Sequence, residues 1–236
     1  MIAFTMARGG YLGGLNSEER SMIASLVRDV IYLLGADVNQ ELDRREQLAD
    51  NPDPLAEIEL ELEALADSIY GEDDAAAADA PDPYLLTPMD SALHRLLPDM
   101  SEDPQQAAQL RNLTEDSIVA AKVEHLTTIY DQLVAENTES PEEFDRVFVR
   151  NEDAPAWMAG LNDIRLVLAA RLEVDDDSSS QQVYNTAAKF TGFRTADVKD
   201  LPEIETAEDM MAVLYAMITW WQDSLVTAVR NKELRR

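Results

Sequence analysis

The chain of 236 residues carries 19 Lys and Arg against 47 Asp and Glu, a formal charge of −28, with 46% apolar residues, two His and no Cys. Without cysteine there is no disulfide framework, thiol switch, Cys nucleophile or Cys-ligated zinc, and two histidines cannot fill a three-His metal site. The charge argues against direct binding to nucleic acid or to an anionic membrane, because affinity for polyphosphate comes largely from cations that displace counterions.

The length suits one domain, residues 1–236, with an acidic arm and linker over 36–83 inserted in it. No apolar run approaches the ~18 residues of a membrane span. The N-terminus has its first basic residue, Arg8, after its short apolar stretch, so it does not read as a secretory signal, and the expected compartment is the cytoplasm.

In chain order, Ile2–Thr5 is a strand candidate that could pair with Asp145–Val149. The run Gly9-Gly10-Tyr11-Leu12-Gly13-Gly14 lacks the Gly-x-Gly spacing of a dinucleotide loop and reads as a flexible connection. Asn16 followed three residues later by Glu19 is a capping-box variant, and Ile23, Leu26, Val27, Val30, Ile31 and Leu34 form one helical face that Gly35 ends.

Between Asp37 and Asp82, 16 carboxylates face only Arg44 and Arg45, which is half of the net charge. Within this arm Leu55, Ile58, Leu62, Leu65 and Ile69 recur at helical spacing, giving a short amphipathic helix. Residues 71–83 hold nothing larger than Glu to bury and read as a loosely held linker.

Thr87-Pro88 signals an N-cap and a short helix that Pro98 stops. Ser101 and Pro104 open another segment, and Thr114 starts a long helix carrying Val119, Val123, Leu126, Tyr130 and Leu133. Asp153 caps a helix with the stripe Trp157, Leu161, Ile164, Leu168 and Leu172. After a polar break at 175–180 a minor helix covers Val183–Phe190. Thr206 opens the last long helix, whose seam is Met210, Leu214, Met217, Trp221 and Leu225 and whose basic end suits the helix dipole. The expected fold is mainly α, a multi-helix bundle with at most a small two-stranded β ribbon.

Catalytic, cofactor and metal signatures are absent: there is no Gly-x-Ser-x-Gly elbow, Walker loop or His-Glu-x-x-His, and neither His94 nor His125 has a Glu three residues before it, as a di-iron bundle requires. Both histidines read as ordinary surface or edge residues. Arg165 stands on the core-facing stripe, so a carboxylate or several backbone carbonyls should meet it, whereas Asp163 is a poor local partner. A structural ion pair is the main reading, with a ligand anchor as its rival. Arg165→Ala should then cost at least ~2 kcal/mol. Trp220 and Trp221 are adjacent, so one seam cannot hold both. Trp221 aligns with Leu214 and Met217; Trp220 stands at a second surface, either an intramolecular contact or an interface.

Several strings resemble an uncharacterised actinobacterial family, a domain of unknown function commonly encoded beside the ClpS-type protease adaptor, whose members include proteins described as oxidative-stress regulators of actinomycetes. They are Leu15–Arg20, Ser91–Asp99, Gln109–Thr114 with Lys122, Trp157–Leu172 and Trp221–Val226; the fourth is the most specific. The resemblance implies a cytosolic, mostly helical protein without established enzymatic activity. It also implies regulation through a thiol pair and an alternative sigma factor, and this chain, having no Cys, cannot inherit that switch.

The reading is a non-enzymatic, cytoplasmic helical protein that acts in regulation through a protein partner of unknown identity. It has no cofactor and no direct contact with nucleic acid or membrane. Trp220, Met217, Leu62 and Leu65 are the candidate partner contacts, and a homodimer is open. One alternative is a transcriptional regulator acting through a sigma factor. Another is a small-ligand-binding protein or enzyme with a pocket near Arg165, which a deep cleft holding an ionisable pair would favour.

Overall fold

The computed structural model describes residues 1–50, 90–134, 145–191 and 202–235. Its elements are β1 (Ile2–Ala7), β2 (Gly10–Leu15), α1 (Ser17–Leu33), α2 (Val38–Asp50), α3 (Ser91–Leu96), α4 (Pro104–Val134), β3 (Asp145–Arg150), α5 (Ala154–Arg171), α6 (Asp177–Thr191) and α7 (Ala207–Glu233). The chain is mainly α-helical, but its antiparallel sheet has three strands, in the order β1-β2-β3. No described helix is long and apolar enough to cross a membrane.

The glycine-rich run is the central strand of that sheet and not a flexible connection. It lies between the two segments expected to pair directly, with Met6 opposite Tyr11 on one side and Tyr11 opposite Val149 on the other. The glycines serve close approach. A Cβ on Gly10 would lie 2.1 Å from the Val149 carbonyl oxygen, and one on Gly13 would enter the Phe4 ring. The Phe4 and Phe148 rings lie over the glycine positions, while Tyr11 and Leu15 of the same strand are buried in the core.

Several helix starts follow the local chemistry. At α1 the Asn16 side chain accepts from the Glu19 amide while the Glu19 side chain accepts from the Asn16 amide, a complete capping box. Gly35, at φ +83, follows the C-cap. Thr206 caps α7 through the Asp209 amide.

Others depart from expectation. Thr87 and Pro88 lie outside the described residues, and α3 begins at Ser91 with Asp90 accepting from the Ala92 amide. α4 is one helix of 31 residues, not two segments; Thr114 sits inside it, its hydroxyl donating back to the Leu110 carbonyl. α6 begins within the polar 175–180 run, where Asp176 accepts from the Ser179 amide. Asp153 stands at the N-cap of α5 without a capping bond, its carboxylate taken by Gln132 and Arg150 instead. The first part of the acidic arm is α2: Val38 is buried, and Arg45 donates to the Glu124 carbonyl and the Thr128 hydroxyl of α4. The expected helix through Leu62 and Leu65, and the linker after it, lie outside the described residues.

α5 is the axis of the bundle, packed against α4, α7, α3 and α1. Gly160 permits its approach to α4, since a Cβ there would lie 2.6 Å from Ile129 Cδ1. Trp157, Leu161 and Ile164 are fully buried on α5, and Ile218, Trp221 and Leu225 on α7. The sheet joins this core through Phe4, stacked on Trp221 at 4.7 Å and edge-on to Trp157 at 6.1 Å. Each indole N–H has an acceptor, the Ile2 carbonyl for Trp221 and Gln132 Oε1 for Trp157.

Candidate functional site

Two ionisable side chains of α5, Asp163 and Arg165, meet partners on α4 and on α7 respectively. Asp163, 3% exposed, receives Lys122 Nζ at 2.6 Å. Asp163 is thus the buried carboxylate that a reading of α5 alone sets aside; its partner comes from α4, a contact that helical spacing along one segment cannot show. Burial raises the Asp163 carboxyl above the usual carboxylate range, outweighing the pull of the Lys122 ammonium and the smaller pull of His125.

Arg165 is half-buried on the next face, but no carboxylate of the described residues lies within ion-pair distance of it. Its Nη1 donates to Gln222 Oε1 at 2.6 Å, while Gln222 Nε2 donates to the Met158 carbonyl. The expected ion pair is replaced by a carboxamide bridge, because the α7 residue facing Arg165 is Gln222. The Arg165 Nε is buried without a hydrogen-bond partner among the described residues.

An ionisable pair in contact is therefore present, and neither Lys122 nor Asp163, nor Arg165, lines any of three described surface hollows. Among the described residues no group of three or more His, Asp or Glu is placed to hold a metal ion.

The adjacent tryptophans part as their 100° separation requires. Trp221 is fully buried, and Trp220 is 39% exposed. Trp220 borders a hollow of about 320 Å³ between α6 and α7, lined also by Tyr184, Ala187, Ala188, Thr191 and Ala216. No residue of its lining is charged, whereas the other two hollows hold Arg111 and Glu115, or Arg20 and Arg28. Met217 is half-buried and lies outside this lining. Leu62 and Leu65 lie outside the described residues.

A contact absent from the sequence reading ties the two ends of the chain together. Lys232 Nζ donates to the Ala7 and Gly10 carbonyls at 3.0 and 2.9 Å and to Asn151 Oδ1 at 2.8 Å, 4.6 Å from the centre of the Tyr11 ring. Its place at a helix C-terminus has a second reason besides the dipole: it holds α7 to the β1–β2 turn.

The model of the Domain of unknown function (DUF2017) family matches residues 1–229. The chain belongs to this family. A relative from Mycobacterium leprae (strain TN), named "Putative oxidative stress regulator AosR", is 35% identical over 102 residues, which is 37% of this chain and 44% of the relative. The match thus spans less than half the length of that relative. No solved structure matches the chain.

Proposed function

We propose that this DUF2017 member is a non-enzymatic regulatory protein of the cytoplasm that works by binding another protein through the α6–α7 face around Trp220. The observation that carries this reading is a half-open indole beside an uncharged hollow, on the surface of a chain with a charge of −28. Aromatic anchors in desolvated pockets dominate interface energetics, and an uncharged patch avoids the cost of stripping water from ions. The name of the partial relative supports regulation as the setting. On the implication of the resemblance, the partner is an alternative sigma factor, and the origin is an actinobacterium in which the gene neighbours that of a ClpS-type adaptor. A thiol switch has no part in this reading, since the chain has no Cys. The rival placement of a ligand at Arg165 has no described hollow beside it.

Native capture with the wild-type chain and with Trp220→Arg tests the proposal. Wild type should retain a partner that the variant loses, with the same unfolding midpoint for both. A partner held equally by both proteins would remove Trp220 from the interface, and turnover of a metabolite by the purified chain would end the non-enzymatic reading. Identifying the retained partner as a sigma factor would specify the transcriptional form of the proposal.

A further inference from the structure

The N-terminal half of α4 leaves the bundle. Between Pro104 and Ser117 only Ala107 is buried, although the helix continues unbroken into the core. The face it turns toward residues 97–100 closes a hollow of about 230 Å³, with Leu97, Pro98, Met100, Ala107 and Ile118 supplying apolar walls. Met100, whose Sδ lies 3.8 Å from the Thr114 hydroxyl oxygen, is 54% exposed. Leu110, three residues from Ala107, is 36% exposed, and Leu113, three further on, is 80% exposed. Single exposed apolar residues are ordinary; an apolar hollow with an exposed Met in its wall, beside exposed leucines on the neighbouring surface of α4, offers a docking surface.

The charge of its lining is net acidic, with two carboxylates against one guanidinium. Asp99 and Glu115 line the hollow, and exposed Glu102 and Asp103 stand between its two walls in sequence. The cation of the lining, Arg111, is already bound to Asp99 and lies 3.7 Å from Glu115. An apolar floor whose lining has two carboxylates for one cation, followed in sequence by two more acids, complements apolar residues flanked by lysine or arginine. An amphipathic helix docks by laying its apolar face into such a hollow. A second copy of this chain would bring the same acidic edge and another charge of −28.

We infer that this hollow receives the apolar face of a basic amphipathic helix from a partner protein. The surface is separate from the uncharged Trp220 face, so either assignment can fail without the other.

The test is a titration of the full ¹⁵N-labelled chain, in roughly physiological salt to screen general attraction, with a synthetic leucine–lysine peptide whose leucines recur at helical spacing. The control peptide has the same composition, scrambled so that no apolar face forms. The helical peptide should shift amides within 97–118, and Met100→Ser/Leu110→Ser should weaken it roughly tenfold or more, as expected when two apolar contacts are lost. The unfolding midpoint should stay the same, and Trp220→Ala should leave the affinity unchanged. Equal binding of the scrambled peptide, shifts confined to other regions, or undiminished affinity of the double variant would overturn the assignment. So would self-association in sedimentation that the double substitution abolishes, because a second copy would then be the occupant.

Discussion

Lys122 and Arg165 both project from bundle helices, yet their partners make them energetically different. Lys122 neutralises a buried carboxylate, so Lys122→Met leaves Asp163 buried without its partner, to stay charged or take up a proton at a cost, and should cost about 3 kcal/mol near neutral pH. Arg165 meets the neutral Gln222 Oε1, so Arg165→Ala should cost about 1–2 kcal/mol, less than the ion-pair reading demands. Denaturant unfolding of the two variants checks this order.

Acid–base behaviour separates Asp163 from Asp90 in the same way. Asp163 holds its proton more tightly in the folded chain, so its contribution to stability is greatest below the unfolded-chain pKa, about 3.9, and declines as pH rises through its raised folded value. Asp90 is held below the ordinary range by the Arg171 guanidinium. Its contribution is present above the unfolded value and is lost as pH falls through the depressed one. Measured between about pH 3 and 7, the stability difference between wild type and Asp163→Asn should fall with rising pH, and that between wild type and Asp90→Asn should rise. Slopes of the same sign for both would contradict the burial argument.

At the scale of elements, the two close glycines carry different risks. At Gly10 an added methyl meets a backbone carbonyl of the neighbouring strand at 2.1 Å, which only a shift of β2 against β3 can relieve. At Gly160 it meets the end of the Ile129 side chain at 2.6 Å, which a rotamer change can partly accommodate. Gly10→Ala should therefore destabilise the chain by more than Gly160→Ala, whose overpacking cost is about 1–3 kcal/mol. Thermal unfolding of both variants tests the ranking. Lys232 acts at this scale too: Lys232→Met removes three hydrogen bonds between α7 and the sheet end, and amide exchange at 7–10 should quicken before that of the buried Trp157–Ile164 turns of α5.

For the whole molecule, like-charge repulsion is the dominant long-range electrostatic effect at −28. Raising salt from roughly 0.01 M to 0.15 M shortens the Debye length from about 30 to 8 Å, and the melting temperature should rise. A fall would mean that the acid pairs Arg171–Asp90, Arg95–Asp175 and Arg111–Asp99 hold more stability than their exposed setting allows.

Where a feature depends on a few neighbouring residues, it was legible in the chain itself. The Asn16–Glu19 capping box, the Thr206 cap, the Gly35 stop, the Trp157–Leu168 stripe and the separation of Trp220 from Trp221 are all set by backbone geometry over one or two turns. What sequence alone determined, then, is a mainly helical, strongly acidic chain without thiol chemistry. The tertiary structure decided that a glycine run becomes the middle of a sheet, because the Phe4 and Phe148 rings of the flanking strands fill the space over its glycines. It also decided that Asp163 belongs to Lys122, and Arg165 to Gln222. Those pairings depend on which faces of α4, α5 and α7 meet, and the distance along the chain between 122 and 163, or 165 and 222, carries no trace of that choice.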